Sequence, residues 1–200
     1  MAEEKIKAIV FDWGGVLTQG QIKNFYSKLS AASGLNADSI NEKLKKLIID
    51  CSKDKISKQE FCLISSKKLN ISPLKFNQIY LCLLEVRLNK SLINSIKILK
   101  KKYKIILLAD QFKDKEKIIR KLSKGLFNKY FFSFNIKSTK HTKKPFNHLL
   151  KHLNLNPKEV IFIDDSKSHI KIAKKLGINS ILFRNNLQLI KDLKKFGVKL

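Results

Sequence analysis

The chain has 200 residues, 44% of them hydrophobic, and 42 basic against 16 acidic side chains give a net charge of +26. That length accommodates one ordinary core plus a small inserted unit and excludes two large domains, while the apolar share excludes a globally disordered chain. No apolar run approaches the roughly 18–20 residues of a membrane helix. Glu3 and Glu4 ahead of a short apolar run do not make a secretory signal, so a soluble, cytoplasmic protein with no membrane partner is expected.

The first element is the β-branched and aromatic run from Lys5 to Phe11, which reads as a buried strand stopped by Gly14-Gly15. The pattern then turns helical from about residue 21 to 102. Helices are expected at 21–33, ending at Gly34, and at 38–50. A third starts at Ser57, where Ser57 and Glu60 form a capping box, and a fourth at Ser72-Pro73, an N-cap followed by proline at the first helical position. A fifth covers 91–102. Strands return with the apolar run Lys104–Ala109, followed by a helix at 114–124, a short strand at 130–134 and a helix at 146–153. Val160–Ile163 is another buried strand, 167–176 a helix stopped by Gly177, 180–183 a last strand and 187–196 a last helix. Apolar strands alternating with amphipathic helices predict a parallel sheet covered on both faces. The helical run after the first strand is an insertion. The expected division is a core of residues 1–17 and 91–200 with an inserted helical unit at 18–90.

In such sheets ligands lie beyond the carboxyl ends of the strands. Asp12 follows the first strand, Ala109, Asp110 and Gln111 follow the second, and Asp164-Asp165 follow the strand at 160–163. Lys144 precedes the helix that leads into that strand, with Lys143 as the neighbouring alternative. Carboxylates from three strand ends at one edge are costly without a positive charge among them. A divalent cation is the natural neutraliser, and magnesium suits a few carboxylates plus substrate oxygens.

Phe11-Asp-Trp-Gly-Gly-Val-Leu-Thr18 resembles the first motif of the haloacid dehalogenase (HAD)-like hydrolases. Lys144-Pro145 resembles the third, and Phe162-Ile-Asp-Asp-Ser166 with the following Lys175-Leu-Gly-Ile178 resembles the fourth. The resemblance spans nearly the whole chain and is nearest to the subfamily with a small helical cap inserted after the first motif. It implies an α/β fold, a HAD-like Rossmannoid parallel sheet flanked by helices with residues 18–90 as the cap. It implies Asp12 as a nucleophile that forms an aspartyl-phosphate, and Mg2+ held by Asp12, the Gly14 main-chain carbonyl and Asp165. Lys144 would hold the phosphoryl group, Asp164 would orient Lys144 or a metal-bound water, and Ala109, Asp110 and Lys144 would surround the phosphate.

Two positions depart from the motifs. Gly14 stands where phosphatases of the superfamily carry an aspartate that acts as general acid and base, a function worth about 10²–10⁴-fold. Ala109 stands where a Ser or Thr would bond the phosphoryl oxygens, a loss of about 1.5–3 kcal/mol. His169 occupies a position that often holds Asn.

The remaining features read as structural. Cys51, Cys62 and Cys82 show no C-x-x-C spacing and are expected as free thiols. His148 and His152 lie four apart, metal-ligand spacing without a third ligand, and read as a solvated helix face. Phe25, Tyr26, Phe61 and Phe76 are expected to pack the inserted unit rather than line a pocket. The 39 lysines against three arginines favour compositional bias over a polyanion partner, because arginine is the preferred residue for phosphate and base-edge contacts. The runs Lys100–Lys102 and Lys137–Lys144 are read as exposed surface. The field of such a chain would still steer an anionic small substrate inward.

The sequence thus points to a magnesium-dependent phosphatase of a small phosphorylated metabolite, as a monomer or weak homo-oligomer. A catalytically weakened HAD-like binding protein, a dehalogenase and a nucleic-acid binder are the competing readings.

Overall fold

The computed structural model describes residues 5–199; Glu3 and Glu4, used above against a secretory signal, lie outside the described residues. Five strands, β1 (Ala8–Phe11), β2 (Lys104–Ala109), β3 (Lys129–Phe132), β4 (Val160–Asp164) and β5 (Asn179–Leu182), form one sheet in the order β3-β2-β1-β4-β5. Every pairing is parallel, with Val10 opposite Ile106 on one side and Phe162 on the other. The order reverses at β1, so its carboxyl end sits at the switch point where doubly wound sheets bind ligands.

Parallel strands need crossovers, and helices supply them. Four helices follow β1 in succession: α1 (Gln21–Ser33), α2 (Ala37–Ser52), α3 (Lys58–Lys68) and α4 (Pro73–Leu81). Then come α5 (Lys90–Leu99), α6 (Glu116–Leu122), α7 (Ser133–Ile136), α8 (Lys144–Leu153), α9 (Lys167–Lys175) and α10 (Asn186–Lys195). The chain belongs to the α/β class, a parallel sheet flanked by helices.

Local chemistry sets the helix starts. Asn36 accepts the Ser39 N–H at 2.8 Å to start α2. Ser57 accepts the Glu60 N–H at 3.1 Å while Glu60 accepts the Ser57 N–H at 2.7 Å, so the capping box of α3 is complete. Ser72 accepts the Lys75 N–H at 3.2 Å ahead of Pro73. Gly34 closes α1 at φ 72°, a left-handed conformation that glycine adopts without a Cβ clash.

Several elements differ from expectation at their ends, among them α5, which stops at Leu99 rather than at 102. Pairing of β1 begins at Ala8, where both partner strands start, so the expected strand loses its first three residues. The strand expected at 130–134 turns helical at Ser133, and α7 buries Phe134 and Ile136. The helix expected at 114–124 opens with a 3-10 turn at Lys113–Lys115 before α6.

Strand alternation divides the core. Ile9, Phe11, Ile105, Leu107, Ala109, Ile161 and Ile163 face one side of the sheet. Val10, Ile106, Leu108, Val160 and Phe162 face the other, against Phe146 and Ile170. The helices between β1 and α5 have an apolar cluster of their own, built on Phe25, Leu29, Leu44, Phe61, Phe76 and Tyr80. Burial of each such side chain contributes about 1.5–3 kcal/mol. Phe112, from the loop after β2, is the core's entry into this cluster, with its ring centroid 4.9 Å from that of Phe61.

The connections to this helical layer run side by side. Thr18 pairs antiparallel with Leu88, the Gln19 N–H donates to the Arg87 carbonyl at 3.1 Å, and the Asn89 N–H to that of Leu17 at 2.9 Å. Cys51, Cys62 and Cys82 are buried free thiols in this layer. Among the described residues no helix is long and apolar enough to cross a membrane.

Phe76 is fully buried between Phe25 and Phe61, with centroids 6.2 and 5.9 Å away. Phe76→Ala is expected to lower the unfolding free energy by about 3–5 kcal/mol in urea denaturation. A change below about 1 kcal/mol would show that this layer is not a packed core.

Candidate functional site

Strand ends deliver Asp12, Asp110, Asp164 and Asp165 to one edge of the sheet. Asp12 is largely buried and Asp164 fully buried. A lysine resolves the repulsion, and it is Lys140. Its ammonium lies 2.6 Å from Asp12 Oδ1 and 2.6 Å from Asp164 Oδ2, and the residue is 1% exposed.

The backbone explains how a lysine reaches this position. Lys137 takes a left-handed φ of 55° after α7 and reverses the chain. A turn follows in which the Thr142 N–H donates to the Thr139 carbonyl at 3.1 Å. The Lys140 N–H donates to both oxygens of Asp110 at 3.2 and 3.0 Å, which pins the turn to the end of β2.

Lys144 therefore does not occupy the site. It opens α8 with an exposed side chain, as does Lys143 before it, while Pro145 and Phe146 turn into the core. The expectation for Lys144 is corrected to Lys140, four residues earlier, because the Thr139–Thr142 turn separates the two. Ala109 is also displaced from its expected place. Strand alternation puts it with Leu107 and Phe11 in the core, outside the cavity wall. Asp110 does line the cavity, and its carboxylate is engaged by the Lys140 N–H.

Asp164 holds three partners. Besides Lys140, it accepts the Ser166 N–H at 2.8 Å and the His169 Nδ1–H at 3.1 Å. Burial would raise its pKa, but Lys140 and then His169 outweigh that and hold it at about 2. Burial pushes Asp12 up to about 7, with Asp164 adding to the rise and Lys140 opposing it. Burial opposes the charge on Lys140, yet Asp12 and Asp164 hold its pKa above the ordinary lysine value. Burial, then the charge of Asp164, also raises Asp165.

Asp12, Asp164 and Asp165 each present a carboxylate oxygen, all within 4.8 Å of one another. Asp164 spends its oxygens on protein partners, so Asp12 and Asp165 are the carboxylates left for a cation. Gly15 makes room for this. Its φ is 75°, and a Cβ there would stand 1.9 Å from Asp165 Oδ2. The donor set fits a hard divalent cation such as magnesium, which would also bring the raised carboxylate pKa values down. Gly14 lies beside Asp12 on the cavity wall, with open space where a Cβ would be.

The cavity has a volume of about 620 Å³ and extends from Asp12 into the seam between sheet edge and inserted helices. Phe25, Tyr26 and Phe61, expected as packing residues, border it as well, while Phe76 does not. Two polar contacts clasp the layers together. The Tyr80 hydroxyl donates to Asp114 at 2.9 Å, and Asp54 accepts from Lys137 at 2.6 Å with Lys113 at 3.5 Å.

A family model described as haloacid dehalogenase-like hydrolase matches residues 6–177. The chain belongs to the HAD-like hydrolases. Among curated proteins, none matches the sequence. Solved structures share the HAD-like fold. A predicted HAD-like family hydrolase from Porphyromonas gingivalis superposes with a TM-score of 0.78 at 22% identity, over 98% of this chain and 99% of that one. A HAD family enzyme from Bacteroides thetaiotaomicron, solved with magnesium and inorganic phosphate, gives 0.76 at 21% identity over 92% and 98%. A 2-haloacid dehalogenase from Pseudomonas syringae pv. Tomato gives 0.67 at 15% identity over 96% and 99%.

Sequence reasoning located the carboxylates of this HAD-like site and missed Lys140, His141 and Lys115, which also line the cavity. In a chain with 39 lysines, residue type carries little information. The Ser138-Thr139 pair ahead of Lys140 was the one local hint of a tight turn. Removing Lys140 strands two buried carboxylates. Lys140→Met is expected to cost about 3–5 kcal/mol in thermal or urea unfolding, against less than about 0.5 kcal/mol for Lys144→Met. Equal effects would contradict the assignment.

Proposed function

We propose that this HAD-like hydrolase is a magnesium-dependent phosphatase of a small phosphorylated metabolite. One observation carries the reading: Asp12, Lys140 and Asp165 meet at the floor of a cavity that also touches the inserted helices. The Bacteroides relative solved with magnesium and inorganic phosphate supports the same chemistry.

Asp12 is the nucleophile. One oxygen is held by Lys140, and the other attacks phosphorus as the ester bond breaks, leaving an aspartyl-phosphate that water then hydrolyses. Lys140 takes the role expected for Lys144. It orients Asp12 and offers positive charge to the phosphoryl oxygens. Asp164 positions Lys140, and Asp110 positions it through the backbone. Magnesium would be held by Asp12, Asp165 and the Gly14 carbonyl, and when bound it supplies charge neutralisation to the phosphoryl group. The inserted helices act as a cap that excludes water and selects the substrate.

A second reading, a binding protein with weakened catalysis, draws on Ala109. Its methyl faces the core and offers the phosphate no hydroxyl. Phosphate release separates the two. Wild type with magnesium and a panel of small phosphate esters and acyl phosphates should turn over, and Asp12→Asn should lose about three orders of magnitude or more. Binding of magnesium and inorganic phosphate without turnover in either protein would favour the second reading.

Gly14 suggests a sharper test. A side chain fits there without collision, and an acid would protonate a poor leaving group. Gly14→Asp is expected to raise kcat on alkyl phosphates by about 10²-fold and to leave acyl phosphates, whose leaving group needs no proton, nearly unchanged. Equal effects on both classes would refute the view that the missing acid limits the enzyme.

A further inference from the structure

The wall of the cavity is divided by charge. Its carboxylates, Asp12, Asp110 and Asp165, all come from strand ends. The side toward the inserted helices carries Lys23 and Lys45 and no acidic residue, and the loop after β2 adds Lys115. The surfaces between these lysines are mainly apolar, including Ile48, Ile49 and Phe61.

Lys115 is unlike the other two, which are exposed. It is half-buried, with its ammonium 5.4 Å from the Phe112 ring centroid and 5.6 Å from that of Tyr80. Among the described residues no carboxylate lies within 4 Å of it, and no side chain or carbonyl accepts a hydrogen bond from it. Lys58, on the same Tyr80 ring at 5.1 Å, instead donates to Asn77 at 3.0 Å. The nearby Asp114 has its oxygens engaged by the Tyr80 hydroxyl at 3.0 and 2.9 Å. The neighbouring Cys51 thiol stays neutral, burial pushing it up to about 12. Burial pushes the Lys115 ammonium down to about 8, with the Asp114 charge opposing. A half-buried ammonium that has ring faces but no carboxylate beside it, on a largely apolar cavity wall, is a ready counter-charge for an anionic group of a ligand.

We infer that the substrate carries, besides its phosphoryl group, a carboxylate on a largely apolar body, and that Lys115 binds this carboxylate beside Phe112 on the cavity wall. The inference rests on the phosphatase reading for the phosphoryl end. It disfavours polyhydroxylated sugar phosphates, whose hydroxyls would face the isoleucines and phenylalanines of this wall unpaired.

A binding experiment tests it without requiring turnover. The probes are ω-carboxyalkyl phosphonates of increasing chain length, each beside its primary amide, titrated by calorimetry into the protein with magnesium. At the length that spans the cavity, the carboxylate should bind about 10–100-fold more tightly than the amide. Lys115→Met should abolish that preference and Lys115→Arg should retain most of it. Lys191→Gln, which removes an equal charge from the exposed face of α10, should leave it intact. Equal affinities for carboxylate and amide at every length would overturn the inference while leaving the phosphatase reading in place. A preference that survives in Lys115→Met would likewise overturn it. No binding of any phosphonate would remove both.

Discussion

Three strand ends of a parallel sheet place carboxylates within a few ångströms of each other, and one buried ammonium holds them there. Lys140 touches Asp12 and Asp164 at the same distance of 2.6 Å, and its own backbone is tied to Asp110. It therefore links the ends of β1, β2 and β4 by side chain and main chain together. Without that charge the edge of the sheet would carry stranded anions in a low-dielectric setting, whose penalty exceeds what ordinary packing returns. The loop geometry of the site follows from this requirement. The left-handed turn at Lys137 and the tight turn at Thr139–Thr142 bring opposite charges together, while the glycine that admits Asp165 adds a carboxylate left for a cation.

The inserted helices answer to a different physics. Their cluster is apolar and aromatic, and Phe112 joins it from the core. The polar clasps Tyr80–Asp114 and Asp54–Lys137 sit at the border of the seam rather than inside it. The partly exposed Asp54–Lys137 ion pair contributes little to stability, and Tyr80–Asp114 is a hydrogen bond from a neutral hydroxyl. Their value is orientation, because they fix the wall that carries Lys23 and Lys45 against the wall that carries Asp12. The cavity is the space these two kinds of packing leave between them.

Much of this was legible from residue order. Apolar runs marked the strands, capping residues at Ser57 and Ser72 marked two of the helix starts, and carboxylates after successive strands marked the ligand edge. The family resemblance was legible in the segments around Asp12 and Asp164. The lysine was not. Lys144 before a proline matched a motif, while Lys140 matched nothing local, and only the path of the chain from α7 to α8 decides between them. Ala109 was misplaced for a related reason, since alternation along β2 assigns its face while its motif position suggested the cavity. The role of Lys115 depends on rings from two distant segments, Phe112 and Tyr80, which no window of sequence contains.

The pairing of Thr18 with Leu88 has a wider bearing. The chain leaves the sheet and comes back to it through one doorway, two strands wide, with its sides hydrogen-bonded to each other. Seen from the sheet, everything between those residues is a pendant whose boundary conditions are fixed. Whole helices can be gained, lost or exchanged beyond the doorway without shifting β1 against its neighbours. Evolution can thus rewrite what the enzyme recognises while the chemistry at the strand ends is inherited unaltered.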